Sequence, residues 1–259
     1  MSPKTAVMEK EDKKSPKAKS KITSRNQLAV KIFADGANKE DMIAAYKNKL
    51  VDGFTTNPSL MRKAGVTDYE SFAREILNEI KDVSISFEVF SDDFQSMERE
   101  ARKIHAWGKN VHVKIPVQNT KGVFSGPLIK KLHGEGIPLN VTAILTVDQV
   151  KKVAACLRGD VSSIVSVFAG RIADTGVDPV PAMKDCAKIL KALPKCELLW
   201  ASSREVLNVL QAEECRCHII TVTSDIIKKL GMLGKDLHEL SLDTVKTFFE
   251  DAQKSGFSI

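Results

Sequence analysis

No stretch of this chain approaches ~18 continuous apolar residues, so no segment is predicted to span a membrane. Cysteine is scarce: 259 residues hold only five, Cys156, Cys186, Cys196, Cys215 and Cys217. The odd count, the irregular spacing and the lack of a secretory apolar h-region predict reduced thiols in a cytoplasmic protein, not a disulfide framework. Cys215-Arg216-Cys217-His218 is the run that raises the question of a metal. Zinc cysteines usually stand roughly two to four residues apart, and no second pair exists here, so no metal site is expected.

Acidic residues are in the minority, 33 Asp and Glu against 39 Lys and Arg, for a net charge of +6. The imbalance is local. Residues 1–26 carry seven lysines and Arg25 against Glu9, Glu11 and Asp12, a net +5. These residues include Lys13-Lys14-Ser15-Pro16-Lys17 and have few apolar side chains, which predicts a solvated, disordered tail. The body, residues 27–259, is close to neutral, so nucleic-acid binding by it is not expected. A nucleic-acid or membrane-surface contact made by the tail is the alternative, and it rests on the tail residues alone.

From residue 28 onward, short β-rich runs alternate with helical periodicity. The predicted strands are Leu28–Ala34, Gly53–Thr56, Val83–Val89, Val111–Pro116, Ile137–Ala143, Ser163–Phe168, Glu197–Ala201 and His218–Val222. Helical stretches fall at about 39–49, 68–80, 92–107, 125–134, 147–157, 179–193, 203–213, 224–231 and 241–254. Eight strand–helix units in series predict an α/β fold, a single-domain (β/α)8 TIM barrel with an additional C-terminal helix. A doubly wound open sheet would normally carry a glycine-rich phosphate loop after its first strand. The first strand here ends Asp35-Gly36-Ala37, with no such loop.

Reactive residues of a TIM barrel sit at the carboxyl ends of the strands. Those ends read Asp35, Asn57, Glu88, Lys114, Thr142, Ser166 with Phe168, and Ser202. Lys114 lies among β-branched residues in Val113-Lys114-Ile115, and strand alternation turns it opposite to both neighbours and into the barrel. Desolvation there disfavours the ammonium, and a neutral amine is what a Schiff-base nucleophile requires. The competing reading is an edge-strand lysine facing solvent. Asp35 also suits a turn before Gly36, but with Glu88 and a central lysine it makes a proton donor and acceptor set for carbonyl chemistry. Arg171 and Arg204 beside Ser202 suit bidentate phosphate binding, against the alternative of salt-bridged helix starts.

The segments Phe33-Ala34-Asp35, Gly53-Phe54-Thr55-Thr56-Asn57-Pro58-Ser59-Leu60, Val113-Lys114-Ile115-Pro116, Asn140-Val141-Thr142, Val167-Phe168-Ala169-Gly170-Arg171-Ile172 and Ala201-Ser202-Ser203-Arg204 together resemble the transaldolase family, which includes the smaller fructose 6-phosphate aldolases. The resemblance covers residues 28–259. It implies Lys114 as the Schiff-base lysine, Asp35 as the acid/base at the donor C4 hydroxyl, and Glu88 with Thr142 as holders of the catalytic water. It implies Asn57, Asn140 and Ser166 as ligands of a three-carbon unit, and Ser202, Arg171 and Arg204 as the phosphate site. Aldolase members typically carry Gln where Glu88 stands and Tyr where Phe168 stands, so this chain has the transaldolase-type residue at both. Its length resembles the small subgroup, and Ser203 replaces the Phe usual there.

The implied reaction moves a dihydroxyacetone unit from fructose 6-phosphate or sedoheptulose 7-phosphate to an aldose phosphate, with no metal or organic cofactor. The rivals are simple aldolase cleavage and a non-catalytic barrel that binds a sugar phosphate. Sugar phosphates are the expected partners and a homo-oligomer the expected assembly.

Overall fold

A computed structural model describes residues 22–256, and the eight strands close into one parallel barrel in sequence order. The strands are β1 (Lys31–Asp35), β2 (Gly53–Thr55), β3 (Ser84–Glu88), β4 (Val111–Pro116), β5 (Leu139–Ile144), β6 (Ser163–Val167), β7 (Cys196–Trp200) and β8 (Ile219–Val222). The predicted TIM barrel is therefore the fold, and β1–β8 pairing removes the edges an open sheet would have.

The helices are α1 (Lys39–Lys47), α2 (Pro58–Lys63), α3 (Tyr69–Glu79), α4 (Phe94–His105), α5 (Gly126–Gly134), α6 (Val147–Ala154), α7 (Ala169–Asp174), α8 (Val180–Leu190), α9 (Leu207–Glu214), α10 (Ser224–Lys229) and α11 (Leu237–Ser255). Short polar residues open many of them. Asn38, Asn57, Asp68, Asp93, Thr146 and Asp236 each accept a backbone N–H of the first turn, satisfying donors that the helix itself cannot. α4 shows why these segments pack as they do: Met97, Ala101 and Ile104, at four- and three-residue spacing, are its buried side chains.

Two apolar cores follow from strand alternation. On β4, Val111, Val113 and Ile115 point outward into the large core shared with the helices, among residues such as Phe54, Phe87 and Trp200. Inside the barrel, Phe33, Ile164, Leu199, Ala201 and Ile219 form a separate cluster. Phe33 fills space that a side chain at position 53 would need: a Cβ there would meet its ring at 2.4 Å, so β2 opens with Gly53. Below this plug, His112 bonds the hydroxyls of Ser84 (2.8 Å) and Ser162 (2.9 Å), and Lys31 pairs with Glu197 at 2.7 Å. Floor and plug leave the carboxyl ends of the strands as the open end of the barrel.

Two short helices, α2 and α7, were not among the predicted elements; each has six residues, too few for a visible period. The predicted tail lies mostly outside the described residues. Of its last residues, Arg25 begins a short 3-10 turn and donates to the Lys49 carbonyl at 3.0 Å. At the other end, α11 buries none of its side chains. All five cysteines are free thiols, and no helix among the described residues is long and apolar enough to cross a membrane.

Candidate active site

Register brings the first pair of reactive groups together. Glu88 on β3 and Asn140 on β5 are both Cα partners of Lys114 on β4, and residues paired across parallel strands share a face. Lys114 is 7% exposed, with its Nζ 3.2 Å from Glu88 Oε2 and 3.1 Å from the Thr56 carbonyl. Lys114 thus faces the barrel, as alternation requires, but with a carboxylate beside it.

Above this pair lies a cavity of about 130 Å³ at the barrel mouth. Asp35, Asn57, Lys114, Thr142, Ser166, Phe168, Arg171 and Ser202, eight of the eleven residues singled out in the sequence, line it. Leu199 and Ala201 form an apolar wall, and Thr55 and Thr221 complete it.

Burial raises the Asp35 carboxyl above its ordinary value, and the Lys114 charge and a hydrogen bond from Thr55 partly offset this. A carboxyl held in that balance can both give and take a proton. Thr142 Oγ1 is buried and has no hydrogen-bond partner among the described residues, so an occupant of the cavity would supply one. Its aim follows from alternation on β5: Asn140 and Thr142 share the inward face, with Val141 between them in the outer core. Pairing with β6 is in step up to Val141 and resumes at Ile144, and Ala143 takes a left-handed φ of +60°. This bulge, just past Thr142, breaks the alternation and turns Ile144 outward into the helix-facing core.

Asn57 accepts the Leu60 N–H with its side-chain oxygen at 3.0 Å, so its amide nitrogen is what remains for the cavity. Asn140 does not reach the lining. It donates to Ser86 Oγ at 2.9 Å and accepts from Ser166 Oγ at 2.7 Å, fixing Ser166 from below. Glu88 is likewise off the lining; it faces Lys114 on one side and an outer groove with Tyr69, Phe90 and Trp107 on the other.

The end of the cavity at Ser202 and Arg171 is built by a close backbone approach. Ser202 adopts φ +64° after β7, a conformation unfavourable for a residue with a Cβ and found where surrounding structure enforces it. A Cβ at Gly170 would lie 1.6 Å from the Ser202 carbonyl oxygen, so only glycine fits at the start of α7. Arg171, one residue on, stacks its guanidinium 5.2 Å from the Phe168 ring centroid. Arg204 is not brought to the cavity: its Nε and Nη2 donate to the two oxygens of the Asp174 carboxylate, the ion pair that was the alternative for it.

Sequence reading missed Thr55, Thr221, Ser86 and the Thr56 carbonyl. Alternation on β2, β3 and β8 points Thr55, Ser86 and Thr221 inward and was the available signal.

The transaldolase/fructose-6-phosphate aldolase family model matches residues 32–259. A probable transaldolase of Thermoanaerobacter is 34% identical over 231 residues, 89% of this chain and 100% of that one. One from Nitrosopumilus maritimus is 34% identical over 227 residues, 87% and 96% of the two chains. In fold, the chain resembles the dihydrodipicolinate synthase of Rhodopseudomonas palustris (TM-score 0.55, 14% identity, 86% and 79% covered) and KGPDC from Streptococcus mutans (TM-score 0.52, 12% identity, 78% and 90% covered). With a barrel-mouth lysine among carboxylates, hydroxyls and an arginine, and a family match over nearly its whole length, the chain belongs to the transaldolase/fructose-6-phosphate aldolase family.

Proposed function

We propose that this protein is a transaldolase that carries a dihydroxyacetone unit on Lys114. The observation that carries this reading is the buried Lys114 amine, 3.2 Å from Glu88 and on the wall of a cavity it shares with Asp35. Lys114 attacks the C2 carbonyl of a ketose phosphate such as fructose 6-phosphate or sedoheptulose 7-phosphate, and loss of water gives an iminium. Glu88, at hydrogen-bond distance from the amine, and Thr142, with its unpartnered hydroxyl, handle that water. Asp35 takes the C4 hydroxyl proton, the C3–C4 bond breaks, and an aldose phosphate leaves. The retained enamine attacks a second aldose phosphate, and hydrolysis frees Lys114.

The size of the cavity agrees with this division of labour. At about 130 Å³ it is well below the roughly 300–1,000 Å³ of pockets that enclose a drug-sized ligand. It suits the short carbon unit, while the phosphate end lies toward Arg171 and Ser202. Asn57 and Ser166 are the proposed ligands of that unit, with Asn140 acting through Ser166. Arg204 joins the phosphate site only if it releases Asp174. The proposed setting is the cytoplasm and the proposed assembly a homo-oligomer.

The test is chemical trapping. Incubation with fructose 6-phosphate and borohydride should leave a reduced three-carbon adduct on Lys114, located by peptide mass spectrometry. Turnover with no adduct, or an adduct on another lysine, removes the reading.

A further inference from the structure

Asp35 does not stand alone at the end of β1. Thr55 Oγ1, on one flanking strand, donates to Asp35 Oδ1 at 2.8 Å. Thr221 Oγ1, on the other, lies 2.6 Å from Thr55 Oγ1. Both threonines are buried, at 3% and 6% exposure. An ionised carboxylate can only accept, so Thr55 must point its one proton at Asp35. Thr55 then has only lone pairs for its neighbour, and Thr221 must donate to it. The two hydroxyls form a chain polarised toward the carboxylate, and each bond in such a chain strengthens the next. Thr221 is itself anchored: Ser203 Oγ donates to its backbone carbonyl at 2.8 Å.

We propose that Thr221 is a positioning residue that acts through Thr55 to hold Asp35 in its proton-accepting state. The proposal rests on the reading of Asp35 as the acid/base. Lys114, on β4, favours the same state across the barrel. The other charged groups near Asp35 are Arg171 at the cavity wall and Asp41, Lys63 and Asp225 around the groove behind β1. β2 and β8 contribute only the two neutral hydroxyls. A Thr221 substitution leaves all of those charges in place, so a change in Asp35 titration reports the hydroxyl chain.

The experiment is the pH profile of kcat/KM for fructose 6-phosphate with erythrose 4-phosphate in the native protein, Thr221→Val, Thr221→Ser and Asp35→Asn. Valine keeps the shape and removes the hydroxyl; if that variant does not fold by circular dichroism, Thr221→Ala takes its place. The acidic limb should move to higher pH by about half a unit to one unit, the equivalent of one ordinary hydrogen bond, and Thr221→Ser should bring it back. A rate loss at an unmoved limb, or no change at all, overturns the role of Thr221. Full activity in Asp35→Asn would instead remove the acid/base reading, and the proposal with it. A dead Asp35→Asn beside an unmoved Thr221→Val limb leaves the acid/base reading standing and ends the relay alone.

Discussion

At the scale of the residue, Asp35 is held in a state that costs the fold something. Its carboxyl is raised above the ordinary 3.8, chiefly by burial. A group with a raised native-state value binds its proton more tightly folded than unfolded. Its stabilising contribution is therefore complete below pH 3.8 and lost as pH rises through the folded value. Asp35→Asn mimics the protonated side chain and keeps an oxygen for Thr55. It should lose roughly 10²–10⁴ in turnover yet melt at a higher temperature than the native protein at pH 7. The gain should vanish when both are scanned in acid below the carboxylate range. A lower melting temperature at pH 7 would show that the ionised form is the better packed one.

Phe168 bears on transfer against release. Free aldolase activity needs the enamine carbon protonated before an acceptor arrives, and proton transfer by a positioned group is typically worth ~10²–10⁴ in rate. Phe168 lines the cavity and has no proton to give. Sedoheptulose 7-phosphate formation with erythrose 4-phosphate should exceed dihydroxyacetone release without acceptor, and Phe168→Tyr should shift the ratio toward release. Equal rates in the native protein would favour the aldolase reading.

At the scale of the element, two departures from regular structure border the site. The β5 bulge at Ala143 ends the alternation just past Thr142, and the contact of α7 with the turn after β7 sets Ser202. Gly170→Ala tests the second. Its new Cβ would sit 1.6 Å from the Ser202 carbonyl oxygen, a backbone atom that no side-chain rotation can clear. Either α7 or the turn must move. Forced repacking of this kind costs about 1–3 kcal/mol or more, and the displacement should raise KM for phosphorylated substrates more than for unphosphorylated ones. Calorimetry and steady-state kinetics read the two effects. Native melting and native KM together would mean that the contact is looser than the geometry states.

At the scale of the whole molecule, α11 presents an unburied apolar face. It runs for 19 residues with no side chain buried, and Leu242, Val245, Phe248 and Phe249 are 55%, 59%, 69% and 65% exposed. A helix of that length gains most of its stability from packing an apolar face, and apolar side chains clustered on a surface mark interaction sites. If the partner is a second copy, as the proposed homo-oligomer requires, light scattering should give a multiple of 28.5 kDa. The double substitution Phe248→Asp, Phe249→Asp should lower that mass. A native mass of one chain rules the assembly out.

Whatever is periodic along the chain was open to sequence reading. Eight apolar runs with helices between them implied the barrel, and period-two alternation turned Lys114 inward, because both signals repeat within a few residues. Chain order also placed Asp35, Thr142 and Ser202 at strand ends, hence at the mouth. Closure and register decided the rest. Thr221 meets Thr55 across 166 residues of chain, and Arg204 meets Asp174 across 30. No local pattern encodes such pairings. The same holds for the Glu88 carboxylate beside Lys114, which follows from the register of β3 on β4, and for the fit of Gly170 under Ser202. Each is set by where two separate segments come to rest when the sheet closes on itself, which is a property of the packed molecule and of no segment alone.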